Sequence, residues 1–420
     1  MQEFLNLNSE VLKAKNKAEE KTKEIFKKIT DTAEYNQIKV LNAFREYKVS
    51  QQHFIATSGY GYDDVGRDTL DKIVARCFNK EDALIRFSFA SGTATIAAGL
   101  FGVLRPNDKI LFLAGDPYDT LMGVLGHKSK TEGSLTDFGI KVETVDLLSN
   151  NKFNEKEILN RLKNSFYKAI YIQRSRGYTV RLAFTVSEIN DIIKKVKEIS
   201  PNTYALVDNC YGEFVEKEEP DADLIMGSLI KNPGGGIAPA GGYLAGTKEL
   251  IEKCAARVTA PGVGREIGAS LGHNKELYMG FLNAPVITGE ALKTAVFASA
   301  LFKELGFEVS PEYNEKRSDI IECITLNSEE NLLEFCKGIQ YASAIDSFVT
   351  PISADMPGYD DKIVMAAGAF TMGSSIELSA DGPVKPPFVV FLQGALSYAI
   401  GKFGVLKAAN NIVNKNKNKK

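Results

Sequence analysis

The chain has 420 residues, of which 44% are hydrophobic and 25% charged, proportions that fit a globular protein with a sizeable core and exclude wholesale disorder. Fifty-one Lys and Arg against 53 Asp and Glu give a formal charge of -2, so no strong field favours nucleic acid or an anionic membrane, and a small substrate is expected. The length exceeds the roughly 250–300 residues at which a single core stops growing, which predicts two lobes.

The five cysteines, Cys77, Cys210, Cys254, Cys323 and Cys336, are scattered, without a CxxC pair or nearby His, so neither a disulfide framework nor a metal site is expected. Residues 1–26 carry charges throughout where a signal peptide needs an apolar stretch, and a cytoplasmic location is expected. From Ser9 to about Tyr47 a loose stripe of Val11, Ala14, Ala18, Ile25, Ile29 and Ala33 predicts helices packed on a larger body. After the glycine-rich segment 58–62, apolar strands and amphipathic helices alternate, the pattern of a largely parallel sheet covered on both faces.

Residues 109–113 read as a strand whose end leads to Tyr118. Residues 168–173, a helix over 186–199 with Thr185 and Glu188 as its capping box, and a strand over 203–208 form a βαβ unit, so functional loops are expected at the carboxyl ends of its strands. Beyond about Pro285 a helix over 288–305 leads into a smaller domain, and the polar, basic last residues read as a flexible tail.

Four features carry chemistry. Lys231 ends an apolar run and precedes Gly234-Gly235-Gly236, where desolvation would lower its pKa and make the amine nucleophilic. Asp208, at a strand end, is suited to stay ionised beside a pyridine nitrogen, which is what pyridoxal phosphate needs to act as an electron sink. Ser91-Gly92-Thr93 opens an apolar helix whose backbone amides form a ready phosphate site, to which Ser228 adds a hydroxyl. Tyr118 offers a ring to stack on a cofactor and a phenol for proton transfer. Gly262 to Gly268 reads GxGxxxG and follows Ala260-Pro261 instead of a clean strand, so a nicotinamide site is not expected. Cys210 reads as a small packed residue, and the three histidines show no ligand spacing.

In this order of phosphate loop, aromatic, aspartate and lysine, the sequence resembles the fold-type I pyridoxal-phosphate enzymes of cysteine and methionine metabolism. Within them it is most similar to the methionine gamma-lyase-like branch called aluminium resistance proteins. The likeness rests on SGYGYDDVGRDTLDKI, PYDTL, IQRSRGY, VDNCYGEF, GSLIKNPGGG, TAPGVGREIGAS, MPGYDD and GSSIELSADGP, which together span most of the chain. The resemblance implies an α/β, PLP-dependent transferase-like fold: a large domain with a mainly parallel sheet between helices, plus a smaller C-terminal α+β domain. The corresponding divisions are a helical segment over 1–50, the cofactor-binding domain over 51–287, the small domain over 288–410 and the tail over 411–420.

It also implies that Lys231 carries the cofactor as a Schiff base and moves the substrate α-proton, that Asp208 pairs with the ring nitrogen, that Tyr118 stacks on the ring, and that Ser91, Gly92, Thr93 and Ser228 hold the phosphate. In the lyases a Tyr and an Arg from a neighbouring subunit reach that phosphate. Here Tyr60 matches the Tyr, Tyr62 stands at the Arg position, and Arg67 is the candidate substitute. The implied assembly is at least a homodimer and, following the lyases, a homotetramer. The lyases also bind the substrate carboxylate with a small-domain arginine before a turn resembling Gly373 to Glu377, and none stands there. Arg174 and Arg176 are the alternatives, by the bidentate geometry of a guanidinium. The expected activity is carbon-sulfur elimination from a sulfur-containing amino acid, of cystathionine beta-lyase or methionine gamma-lyase type. An aldolase, aminotransferase or sulfur-transfer enzyme, a catalytically silent pyridoxal-phosphate protein, and a nucleotide binder remain as alternatives.

Overall fold

The computed structural model describes residues 3–128, 131–356 and 359–417. Pro357 and Gly358 of the MPGYDD phrase, and residues 418–420 of the expected tail, lie outside them.

The first sheet has seven strands: β1 (Asp82–Arg86), β2 (Lys109–Phe112), β3 (Lys141–Thr144), β4 (Ala169–Gln173), β5 (Tyr204–Asp208), β6 (Leu224–Ser228) and β7 (Gly242–Gly246). Their order is β1-β7-β6-β5-β4-β2-β3, and β7 alone runs against the others. Around it lie α1 (Ser9–Glu46), α2 (Val65–Cys77), α3 (Gly92–Val103), α4 (Asp119–Leu125), α5 (Glu155–Asn164), α6 (Val186–Ile199) and α7 (Lys248–Val258). The strands are continuous apolar runs because both faces are covered. Ala205, Val207 and Ile225 pack into one core, whereas Leu206, Leu224 and Met226 pack into the other. In α6 the buried Ile189, Ile192, Ile193 and Val196 form one face, each burial stabilising by about 1.5–3 kcal/mol. Thr185 and Glu188 make the reciprocal cap that the sequence predicts.

The long α8 (Asn274–Glu304) leads to a second sheet of β8 (Glu308–Ser310), β9 (Glu322–Thr325), β10 (Ser353–Ala354), β11 (Ile363–Ala366), β12 (Ser379–Pro383) and β13 (Val389–Gln393), with α9 (Glu329–Ala342) and α10 (Tyr398–Lys417) against it. This sheet is antiparallel throughout, in the order β10-β11-β12-β13-β9-β8.

Three expectations need correction. The N-terminal stripe belongs to one helix of 38 residues, which packs along α8. The helix expected over 288–305 begins at Asn274 and carries Pro285 inside it. The single backbone bond that a proline removes is outweighed by the burial of 20 residues along α8. That burial also accounts for a helix apolar and long enough, by length and composition, to cross a membrane. Finally, α10 continues through residues 411–417, where Ile412 and Val413 are buried, so these residues are an anchored helix end and not a tail.

Candidate active site

Because β2, β4, β5 and β6 are parallel, their carboxyl ends meet at one edge of the sheet, and the residues that follow them line one cavity of about 640 Å³. Gly92, Thr93, Tyr118, Asp208, Ser228 and Lys231 all line it. The sequence-predicted residues are therefore brought together, with Ser91, Tyr60 and Arg174 as exceptions.

At the start of α3, Ser91 is the N-cap. Its side chain accepts from Ala94 N at 3.1 Å and its carbonyl from Thr95 N at 3.0 Å, so Ser91 holds the helix end while Gly92 and Thr93 face the cavity. A Cβ on Gly92 would stand 3.1 Å from Ser228 Cβ, so glycine allows the helix end and the β6 end to approach closely. The Ser228 hydroxyl is buried without a hydrogen-bond partner. A free hydroxyl facing a helix N-terminus in a cavity suits a phosphate. Thr93 Oγ1 lies 3.1 Å from both the Tyr118 and Thr120 hydroxyls, and Tyr118 N donates to Gln173 Oε1 at 2.9 Å, which fixes the tyrosine backbone at the cavity wall. Burial pushes the Tyr118 phenol up, and the Asp208 charge adds to this.

Asp208 is buried at the end of β5. Its Oδ1 accepts from Cys210 N at 3.1 Å and its Oδ2 from the Tyr171 hydroxyl at 3.4 Å. Burial raises its pKa, against the pull of Lys231 and these hydrogen bonds. The balance at this carboxyl is thus set by burial against what faces it, and not by its strand-end position alone. The Lys231 ammonium sits 3.7 Å from the centre of the Tyr211 ring. Burial alone would depress this amine, but Tyr211, Cys210 and Asp208 outweigh that and hold it above its ordinary value. The expected lowering is therefore corrected: in the protein alone the balance at this lysine lies above, not below, its ordinary value. Asn232 pins the segment by donating to Tyr211 O and Glu213 O, both at 3.0 Å. The glycines after it serve packing: a Cβ on Gly234 would lie 1.7 Å from Leu229 O, and Gly235 adopts φ +55° against the Gly280 carbonyl.

The two arginine candidates separate. Arg174 is fully buried behind the cavity wall, donating to Asn209 Oδ1 at 2.7 Å, Glu219 Oε2 at 3.0 Å and Glu216 Oε1 at 3.2 Å; it is a structural ion-pair residue and does not reach the cavity. Arg176 does line the cavity. Its Nη1 donates to Ser310 O at 2.8 Å and its Nε faces the buried Asp319 Oδ2 in an ion pair at 3.6 Å, leaving Nη2 without a hydrogen-bond partner. Arg67 is no phosphate substitute, because its guanidinium is buried on Gly61 O, Gly268 O and Asp68. Tyr60 and Tyr62 stack on each other at 5.6 Å, both exposed, outside the cavity of their own chain. The 262–268 segment forms a loop with one short turn, and Arg265 pairs with Asp71 and Asp82. No metal-binding cluster occurs among the described residues.

Several lining residues have no counterpart in the sequence reading: Gln173, Tyr178, Arg181 and Tyr211 from the first sheet's side, and Asp381, Phe391 and Gln393 from the second. Gln173 and Tyr211 are adjacent to strand ends already singled out and could have been found by extending those motifs. Asp381 could not, since it belongs to a different sheet.

The sequence model of the methionine gamma-lyase family matches residues 11–413. The uncharacterized protein YnbB of Bacillus subtilis is 47% identical over 395 residues, 93% of this chain and 94% of its own length. The crystal structure of a carbon-sulfur lyase involved in aluminum resistance from Clostridium novyi NT is 48% identical, with a TM-score of 0.94 over 98% of both chains. A protein from Clostridium acetobutylicum, provisionally described as a cystathionine beta-lyase involved in aluminum resistance, is 46% identical, with a TM-score of 0.94 over 98% of this chain and 97% of its own.

Proposed function

The chain belongs to the methionine gamma-lyase family, a family of carbon-sulfur lyases, and on that premise we propose that it is a pyridoxal-phosphate-dependent lyase that cleaves a carbon-sulfur bond in an amino acid, in the fold-type I architecture. The observation that carries this reading is a single cavity with the Lys231 ammonium and the Asp208 carboxylate beside a buried, unpartnered Ser228 hydroxyl and the start of α3. The residues fit the cofactor. Gly92, Thr93 and Ser228 would hold its phosphate, Asp208 its ring nitrogen, Tyr118 its ring face and Lys231 its aldehyde carbon. When bound, pyridoxal phosphate supplies the electron sink that makes a carbon-hydrogen bond next to an amine breakable.

The chain's own groups divide the remaining work. Lys231 Nζ, held over Tyr211, is the base that carries the substrate α-proton. Arg176, which lines the cavity and keeps Nη2 free of hydrogen bonds while its Nε faces Asp319, binds the substrate carboxylate. Burial keeps the Tyr118 phenol protonated at neutral pH, ready to give a proton to the departing sulfur. The assembly is read as at least a homodimer, on the support of the exposed Tyr60 and Tyr62 pair, which is suited to contribute to a neighbour's phosphate site.

The test is the visible absorption spectrum of the purified protein and of Lys231→Ala, followed by addition of cystathionine, cysteine and methionine with assay of released thiol and 2-oxo acid. Cofactor absorbance that depends on Lys231, with both products formed from one of these amino acids, is expected. A protein that stays colourless after pyridoxal phosphate is added would refute the cofactor, and a coloured protein that releases no thiol would refute the lyase.

A further inference from the structure

The cavity is closed opposite the first sheet by one face of the second, and strand alternation decides which residues that face presents. Ala380 in β12, Val390 and Leu392 in β13, and Ile324 in β9 pack into the core with α9 and α10. Their alternates turn the other way: Asp381 and Pro383 from β12, and Phe391 and Gln393 from β13, line the cavity. The register pairs Asp381 with Phe391 and Phe391 with Cys323, so this wall is apolar apart from Asp381 and Gln393.

Both polar side chains are deeply buried, Asp381 at 9% and Gln393 at 5% exposure. Gln393 Nε2 donates to Asp381 Oδ2 at 3.5 Å, and the Tyr178 phenol faces the same carboxylate as a donor. Asp381 Oδ1 and Gln393 Oε1 have no hydrogen-bond partner. Two neighbouring buried acceptors without a donor are costly unless something that enters the cavity satisfies them. Lys231 does not: it feels the Asp381 charge, but no ion pair joins the two among the described residues, and its ammonium lies over Tyr211. The cavity thus offers one unpartnered donor, Arg176 Nη2, and, separately, unpaired acceptors on Asp381 and Gln393, an arrangement that suits an amino acid with a second amino group.

We propose that Asp381 and Gln393 form the subsite for the far end of the substrate, and that they select a side chain ending in an ammonium group over one ending in a methyl group. This deepens the lyase reading and rests on it. An ammonium supplies N-H donors to both oxygens, whereas a methyl thioether would leave both unpaired, and a site built to hydrogen-bond a group discriminates strongly against the analogue that lacks it.

The test compares S-aminoethyl-L-cysteine with S-propyl-L-cysteine, which differ at the tip by ammonium against methyl, together with their homocysteine counterparts. Affinity for the holoenzyme is measured by calorimetry and turnover by thiol release. The expected preference for the ammonium ligands is about 30-fold or more, falling to within about 3-fold in Asp381→Asn and to an intermediate value in Gln393→Leu. Equal affinity within each pair in the wild-type enzyme, no binding of the ammonium ligands, or a preference that persists in Asp381→Asn would overturn the subsite. Selective binding without thiol release would support the subsite and remove the lyase reading alone. The wild-type comparison stands even if a variant does not fold.

Discussion

The two walls of the cavity are built by different means. The first-sheet wall is made of residues that follow parallel strands: Lys231 after β6, Asp208 closing β5, Arg176 after β4, and Gly92 at the helix after β1. Each sits beside the buried run that places it, so chemistry and scaffold are adjacent in the sequence. The second-sheet wall is the face of an antiparallel sheet, where Asp381 and Gln393 are single polar alternates among apolar neighbours on strands that are distant in sequence from Lys231. Parallel strand ends concentrate a reaction site in short motifs, whereas a sheet face distributes a recognition site over positions that look like ordinary alternation.

The strongest way to test the first wall is to remove its centre. Lys231→Ala is expected to lose the cofactor's visible absorbance and to lower kcat by on the order of 10³-fold or more, with the thermal unfolding midpoint little changed. A loss smaller than about 10-fold would mean that another group moves the α-proton.

Arg174 and Arg176 sharpen the same contrast, because two residues of separation put one guanidinium behind the wall and the other on it. Arg174→Met leaves Glu219 buried without its cation, and a loss of about 3–5 kcal/mol in urea denaturation with unchanged KM is expected. Arg176→Lys keeps the charge but loses the planar fork. It should raise KM about 30-fold, the equivalent of roughly 2 kcal/mol for a charge-assisted bond, with kcat changed much less. If the two variants exchange these effects, the assignment of the carboxylate site is wrong.

What could be read from the sequence follows the same division. Lys231, Asp208, Ser228 and Thr93 are legible because each closes or follows an apolar run, and their order adds to the signal. Arg174 and Arg176 look equivalent in IQRSRGY, and both are ion-paired in the fold, Arg174 with Glu216 and Glu219 some 40 residues away and Arg176 with Asp319. What separates them is that only Arg176 lines the cavity. The start of α8 was hidden by Pro285, a local stop signal that long-range burial overrides. Asp381 was hidden by its own strand, since Asp-Gly-Pro is turn chemistry, yet residues 379–383 pair with both β11 and β13.

The smallest expected effect probes the second wall through its protons. Burial raises the Asp381 carboxyl from the ordinary carboxylate range to about 7, against the opposing pull of the Tyr178 phenol and the Lys231 charge. A carboxyl raised in this way binds its proton more tightly folded than unfolded, so its contribution to stability is complete below about pH 4, declines as the pH climbs to about 7, and is level above that. Glu322, also pushed up by burial to about 7 beside Arg317, contributes a decline of the same sign and must be separated from it. Asp381→Asn does this, because it removes one titration and leaves Glu322 in place. Relative to the wild type, the variant's unfolding midpoint should therefore gain about 2 °C between pH 4 and pH 7 and no more above it. An offset that stays constant across that window would show that Asp381 is an anion throughout, held by Lys231 across the cavity, and the two walls would then be coupled through charge and not only through the substrate.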